Sequence, residues 1–144
     1  MMILIILKMC LFLYIIHVCS VILHEMGHVL IAHVLHLQVN KVCIGCEKYS
    51  LKIGKIQISP FVANGYVEIA IDNCTVKNSD LMMFFMVGPL INLMIVIGSF
   101  FMTHITINAF FVIGINLIHF CGSICPWIEG NDVVSLIKEL KQLN

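Results

Sequence analysis

The segment HEMGH at residues 24–28 places two imidazoles and a carboxylate inside an unbroken apolar run. On a helix, residues four apart lie on the same face, so the rings of His24 and His28 can reach one cation. Glu25 projects beside them, where its carboxylate can act as general base toward an attacking water. Placing an ionisable group in apolar surroundings costs free energy, so such a group usually has a binding partner or a functional role. The HExxH pattern therefore predicts a metal site on a membrane helix.

The composition of the chain is that of an integral membrane protein. Of its 144 residues, 60% are hydrophobic and only 11% are charged, and the mean hydropathy is +1.04. A soluble domain of this size has no use for so much apolar surface, so the lipid bilayer is the first expected partner. Eight lysines balance eight acidic residues and there is no arginine, which gives no reason to expect nucleic acid as a partner.

We predict a polytopic α-helical membrane protein that forms one domain over residues 1–144. Three core transmembrane helices are expected at residues 2–36, 81–102 and 105–124. A small membrane-surface β-sheet is expected between the first and second helices, at 38–72, and a C-terminal amphipathic helix at 132–142. The apolar N-terminal run continues through the metal motif without a small-x-small cleavage pattern, so we interpret it as a retained helix rather than a signal peptide.

The predicted sheet follows from alternation of apolar and polar residues. Residues 51–53 and 56–59 alternate around the turn at Gly54-Lys55, which is typical of a hairpin. Asn64-Gly65 is a turn signal, and residues 66–71 alternate as a third strand.

The lysines predict the orientation in the membrane. Three spans place the sheet and the C-terminus on one side, with seven of the eight lysines, and leave at most Lys8 on the other. By the positive-inside rule, the sheet, the C-terminus and the opening of the metal site are expected to be cytoplasmic.

The cysteine pattern argues against a disulfide framework, because the seven cysteines are odd in number and scattered through apolar segments. Cys43 and Cys46 have CxxC spacing, which suits a redox pair or half of a zinc site. A complete structural zinc site needs another ligand pair, and Cys74 alone is a weak supplement. We therefore interpret Cys43 and Cys46 as loop thiols.

Three separated segments together resemble one family, the site-2 proteases, which are intramembrane zinc metalloproteases. These segments are HEMGH at 24–28, the run from IQISP to NGYV at 56–67, and GPLIN at 88–92. An acidic residue after the third predicted helix completes the likeness, which covers nearly the whole chain. The layout is most similar to the bacterial branch that includes the sporulation-factor-processing enzymes, which implies a bacterial cell membrane.

The resemblance implies that His24 and His28 bind Zn²⁺ and that Glu25 activates the water. The family takes its third ligand from an Asp-Gly pair after an Asn-x-x-Pro motif. Asn116 matches the first residue of that motif, but His119 stands in the place of the proline and no Asp-Gly pair follows.

Two carboxylates are therefore candidates for the third metal ligand. Asp132 is favoured because it follows Gly130-Asn131 and heads the last predicted helix. Glu129 is the alternative, because it precedes Gly130 in a run that mimics the family pattern. Either carboxylate can ligate zinc.

By the same resemblance, Asn92 and Asn116 orient the substrate carbonyl or stabilise the oxyanion, and the sheet takes the substrate as an added strand. The expected function is hydrolysis of a peptide bond in a transmembrane protein or peptide, within or near the bilayer. A regulatory membrane partner and a homo-oligomer both stay open.

The alternative is a non-proteolytic membrane metal-binding or regulatory protein derived from this family. The missing Asp-Gly pair and proline motivate it, whereas the intact Glu25 argues against it, because a pure binding protein has no need of a base.

Overall fold

The computed structural model describes residues 2–71, 76–101, 107–128 and 130–143. Within these ranges the chain forms four α-helices and four strands. The helices are α1 Met2–Val34, α2 Asn78–Phe100, α3 Ile107–Ile124 and α4 Asp132–Leu143. The strands are β1 Val39–Ile44, β2 Leu51–Ile53, β3 Ile56–Ile58 and β4 Gly65–Ile69, with a short 3-10 turn, Glu47–Tyr49, between β1 and β2. The predicted turn at 103–104 and Cys74 lie outside the described residues.

Helix α1 ends at Val34, two residues before the predicted end, because His36 adopts a left-handed backbone with φ of 56°. The N–H of Leu37 donates to the carbonyl of Ala32 at 2.8 Å, and the N–H of His36 donates to the carbonyl of His33 at 3.2 Å. This pair of bonds is the Schellman arrangement, which terminates a helix. A histidine occupies the position that glycine usually takes, so no glycine marks the helix end in the sequence.

The four strands form one mixed sheet in the order β2-β3-β1-β4. The predicted hairpin is present, since Leu51 pairs with Ile58 and Ile53 with Ile56. Strand β1 pairs in parallel with β3 on one side and antiparallel with β4 on the other. This topology leaves β2 and β4 as the two edges of the sheet.

Strand β1 is the part of the sheet that the sequence pattern did not predict. Its residues VNKVCI lack a clean alternation, because Asn40 and Lys41 are adjacent and both polar. Its pairing with β3 and β4 depends on segments more distant in the chain. Cys43 lies in this strand and is completely buried, so the interpretation of Cys43 as a loop thiol is wrong, whereas Cys46 follows the strand and is exposed.

Among the described helices, α1 and α2 are long and apolar enough to cross a membrane, and α3 is a shorter apolar helix. Helix α2 packs against α1, α3 and α4. On α1 the buried residues all lie between Ser20 and Ala32, whereas residues 2–12 are exposed. The packed core of the protein therefore surrounds the HEMGH segment rather than the N-terminal half of α1.

Candidate metal centre

Three potential ligand side chains converge between helices α1 and α4. The Nε2 atoms of His24 and His28 lie 3.3 Å apart. Asp132, the first residue of α4, places Oδ2 3.1 Å from His24 Nε2 and Oδ1 3.4 Å from His28 Nε2. The ligand atoms of these three side chains all lie within 4.8 Å of one another. Among the described residues, this is the one such group of potential metal ligands from histidine, cysteine, aspartate or glutamate.

The spacing of these atoms fits a tetrahedral ion. For bonds of about 2.0–2.1 Å, two ligand atoms of a tetrahedral zinc ion stand about 3.3–3.4 Å apart. The three observed separations, 3.1, 3.3 and 3.4 Å, match that geometry. Three protein ligands would leave a fourth position for water or substrate, as in catalytic rather than structural zinc sites.

Helix α2 holds the outer side of both imidazoles. The Nδ1–H of His28 donates to the main-chain carbonyl of Phe84 at 2.7 Å. Since a carbonyl can only accept, the proton of the neutral ring lies on Nδ1 and the lone pair of Nε2 points toward Asp132. The Nδ1 of His24 lies 2.9 Å from Nδ2 of Asn92, also on α2. Such outer partners fix the orientation of metal-binding rings.

Gly88 leaves room for the two rings. A Cβ atom built on Gly88 would collide with Nε2 of both His24 and His28. Any larger residue at this position of α2 would therefore fill the space into which both imidazoles point. The missing side chain, together with the matching separations of the ligand atoms, shows that the residues present fit a bound zinc ion.

Glu25 lies next to the ligands and is 4% exposed. Its Oε2 is buried and has no hydrogen-bond partner among the described residues. The backbone of Gly65, where β4 begins, packs directly on this side chain: a Cβ on Gly65 would lie 2.7 Å from Cγ of Glu25. Burying a carboxylate oxygen without a hydrogen-bond partner costs free energy. Such groups are typical of catalytic sites.

The candidate metal centre lies in a cavity of about 720 Å³. Its lining includes His24, Glu25, His28 and Asp132, together with the whole of β4 from Gly65 to Ile69. One edge of the sheet therefore borders the space in front of the candidate ligands.

Asn131 places Asp132 at the start of α4. Its Oδ1 accepts from the N–H of Val134 at 2.8 Å, which caps the helix. Its Nδ2 donates to the carbonyls of Gly122, at 2.9 Å, and Cys125, in the last turn of α3 and just after it. Asn131 thus joins the end of α3 to the first turn of α4, one residue before the candidate ligand.

The charge of Asp132 is set by competing effects. Burial raises the pKa of this carboxyl, but opposing effects, led by the hydrogen bond with His24, outweigh burial and hold the pKa well below its usual range. Asp132 is therefore ionised at neutral pH, the form that a metal ligand requires.

A second pair of histidines lines the same cavity without joining the metal group. The Nε2–H of His17 donates to the carbonyl of Val62 at 3.0 Å, so its Nδ1 accepts from Nε2–H of His119 at 3.0 Å. Tyr14 also holds this segment, because its hydroxyl donates to Pro60 and accepts from the N–H of Val62. These residues anchor the connection between β3 and β4 to α1.

The remaining predicted site residues are placed differently. Asn92 contacts His24, whereas Asn116 donates from Nδ2 to the carbonyl of Val112 in its own helix at 2.9 Å. Neither amide is among the described residues that line the cavity. Glu129, the alternative third ligand, lies outside the described residues.

Sequence reasoning missed four contributors to the site. The sequence places Gly65 in a turn and in the family-like run NGYV, without pointing to its contact with Glu25, and the carbonyl of Phe84 has no signature in a sequence. Asn131 caps α4 within its own segment, but its two bonds to the end of α3 depend on the tertiary structure. The motif GPLIN could have drawn attention to Gly88, because a glycine in a helix often marks a close approach.

A membrane-type helix whose HExxH histidines meet a carboxylate at the wall of a cavity is an arrangement typical of metallopeptidases. Residues 11–142 match the model of peptidase family M50, and the chain belongs to that family. This match confirms the resemblance to the site-2 proteases, while the narrower likeness to the sporulation-factor branch stays a prediction. No curated protein matches the chain.

Proposed function

We propose that this protein is a zinc-dependent intramembrane endopeptidase that cleaves a peptide bond of a membrane-embedded protein or peptide. The single observation that carries this proposal is the position of Glu25. Its buried carboxylate, whose Oε2 has no partner among the described residues, lies beside three convergent ligand side chains in a cavity bordered by a sheet edge. Membership of family M50 supports the class of chemistry.

The proposed ligands are His24, His28 and Asp132, which present two imidazole nitrogens and one carboxylate. When bound, zinc supplies a Lewis acid that polarises the scissile carbonyl and makes water a stronger acid. Glu25 takes a proton from the attacking water as its oxygen adds to the carbonyl carbon. The C–N bond then breaks, and Glu25 returns the proton to the departing amine. The base thus ends the cycle in the state in which it began.

Strand β4 is the proposed docking edge for the substrate. It is an outer strand of the sheet, and all five of its residues line the cavity. A substrate segment that adds to this edge would be held extended by main-chain hydrogen bonds. This matters because a peptide bond in a transmembrane helix has its carbonyl bonded and shielded, so the substrate must unwind locally before hydrolysis.

In the membrane, we propose that α3 forms a third span beside α1 and α2, with the sheet and α4 at the cytoplasmic surface of a bacterial cell membrane. The 18-residue apolar α3 and the grouping of lysines in the sheet and α4 support this orientation. The cavity then opens toward the cytoplasm.

The test is cleavage in proteoliposomes by the full chain. The substrates are a library of single-span peptides that carry a fluorophore and a quencher on opposite sides of the span. We expect zinc-dependent cleavage that a chelator stops, and we expect Glu25→Gln to lower it by more than about 100-fold while zinc content is unchanged, because general bases contribute roughly 10²–10⁴-fold. Asp80→Asn, the same carboxylate-to-amide change at an aspartate outside the cavity, is the matched control and should cleave normally.

Undiminished cleavage by a pure Glu25→Gln preparation would overturn the mechanism. A wild-type protein that holds no metal after zinc is supplied would overturn the enzyme proposal and favour the non-proteolytic alternative.

A further inference from the structure

Asn92 is the most deeply buried amide next to the metal centre, with an exposed fraction of 0%. It lies on α2, four residues after Gly88, and its Nδ2 is 2.9 Å from Nδ1 of His24. Its Oδ1 has no partner among the described residues. A buried amide that uses one end on a ring nitrogen and leaves the other end unpaired calls for a physical explanation.

The placement of Asn92 selects a tautomer of His24. An amide nitrogen can only donate, so Nδ1 of His24 accepts and the proton of the neutral ring lies on Nε2. That proton points at Oδ2 of Asp132, 3.1 Å away. Asn92, His24 and Asp132 thus form a continuous chain of hydrogen bonds, in which the ring nitrogen nearest the cavity is protonated and cannot ligate a metal.

The other imidazole is held differently. His28 donates from Nδ1 to the main-chain carbonyl of Phe84, an acceptor that cannot become a donor, so its Nε2 carries a lone pair in every neutral state. An asparagine amide has a donor at one end and an acceptor at the other. Of the two outer partners that α2 provides, only Asn92 can therefore accommodate both tautomers of its histidine.

We propose that Asn92 is a positioning residue that sets the tautomer of His24, and that its amide rotates by half a turn when metal binds. After rotation, Oδ1 accepts from Nδ1–H of His24, which leaves the lone pair of Nε2 free for the ion. One proton leaves Nε2 of the ring and one binds Nδ1, so the proton count and the charge of the ring do not change. This inference rests on the proposed metal site, and it gives Asn92 a role toward the ligand rather than toward the substrate.

Two substitutions of nearly equal size separate this role from packing. Asn92→Asp offers only acceptors and holds the Nδ1–H tautomer, so we expect the purified full chain to bind zinc at least as tightly as wild type. Asn92→Leu offers neither donor nor acceptor, and we expect its zinc affinity to fall about 10–100-fold, as for other outer partners of metal-binding histidines. The measurement is competition for zinc with a chromophoric chelator in detergent.

A packing role predicts the reverse order, because leucine tolerates an apolar site better than a carboxylate does. Zinc binding by Asn92→Leu that equals wild type, or weaker binding by Asn92→Asp than by Asn92→Leu, would overturn the proposal. Equal zinc affinity in all three proteins with cleavage lost in both variants would assign Asn92 to the substrate instead.

The tautomer itself can be observed in the wild-type chain, which avoids dependence on a variant that folds poorly. With ¹⁵N-labelled histidine, NMR couplings to the ring protons should show Nε2–H for His24 in the zinc-free protein and Nδ1–H after zinc is added. A zinc-free ring already in the Nδ1–H form would contradict the proposed rotation. If wild type binds no zinc, the proposed function fails separately, and the zinc-free spectrum still tests the contact with Asn92.

Discussion

Gly65, the first residue of β4, lies directly against Glu25 of α1. A Cβ at Gly65 would stand 2.7 Å from Cγ of Glu25 and 2.8 Å from its Oε1, and no other side chain is as near. The proposed base therefore fits in its position because Gly65, at the start of an edge strand, has no side chain.

Gly65→Ala should displace Glu25 and lower cleavage by about 100-fold, the lower end of what a general base contributes. Zinc content should stay normal, because the nearest atoms to the new methyl group all belong to Glu25. The measurement is turnover of a quenched single-span peptide together with the zinc content of the same sample.

Gly114→Ala is the control for this change, because a Cβ there would meet nothing within 4 Å among the described residues apart from the adjacent residues and the backbone of its own helix. Normal turnover by Gly65→Ala would show that Glu25 is not held in a fixed place by β4.

Gly88 and Gly98 on α2 form a matched pair for the metal site. Gly88→Ala should abolish zinc binding, with a loss larger than the roughly 10–100-fold typical of outer-partner changes, because its methyl group would collide with Nε2 of both histidines. Gly98→Ala adds the same methyl group to the same helix, where nothing beyond the adjacent residues and the backbone of that helix lies within 4 Å among the described residues, so its zinc affinity should equal that of wild type. Equal binding by both variants would argue against a metal at this place.

The third ligand can be identified by metal content. We expect stoichiometric zinc in the purified wild type, none in His24→Ala, and a large loss in Asp132→Ala, because two imidazoles alone hold the ion weakly. Glu129→Ala should keep its zinc. If only Glu129→Ala removes the zinc, the third ligand is Glu129 rather than Asp132, and the contacts of Asp132 with the histidines do not serve metal binding.

Asn131 should influence zinc binding without touching the ion. Asn131→Ala removes the cap of α4 and two bonds to the end of α3, which are together worth about 2–3 kcal/mol at roughly 1 kcal/mol each. Part of this lost free energy no longer holds Asp132 in position for the ion. We therefore expect zinc affinity to fall about 10–100-fold, at about 1.4 kcal/mol for each factor of ten.

Asn131→Asp keeps the oxygen that caps α4 but loses the donor to Gly122 and Cys125. Its zinc affinity should lie between those of wild type and Asn131→Ala. Affinities that are equal in all three proteins would show that α4 is held in place without this side chain. Chelator competition measures all three.

Features that depend on neighbours in the chain were accessible from the sequence. The apolar runs predicted α1 and α2, and alternation predicted the β2–β3 hairpin, because each pattern is a local consequence of helix or strand geometry. The pairing of His24 with His28 belongs to the same class, since four residues make one helical turn. Strand β1 was missed because its polar pair hides the alternation and its partners come from later segments.

The sequence by itself determined the membrane-type composition, the helix that carries HEMGH, and the family to which the chain belongs. Only the tertiary structure brought Asp132 into contact with His24, from which it is separated by 108 residues in the sequence. It also placed Gly65 against Glu25. Asn92, 68 residues after His24, bonds to that ring for the same reason. The physical reason is the distance along the sequence over which each kind of interaction acts. Helical periodicity acts over one turn, whereas the approach of β4, α2 and α4 to α1 depends on how several buried surfaces pack at once.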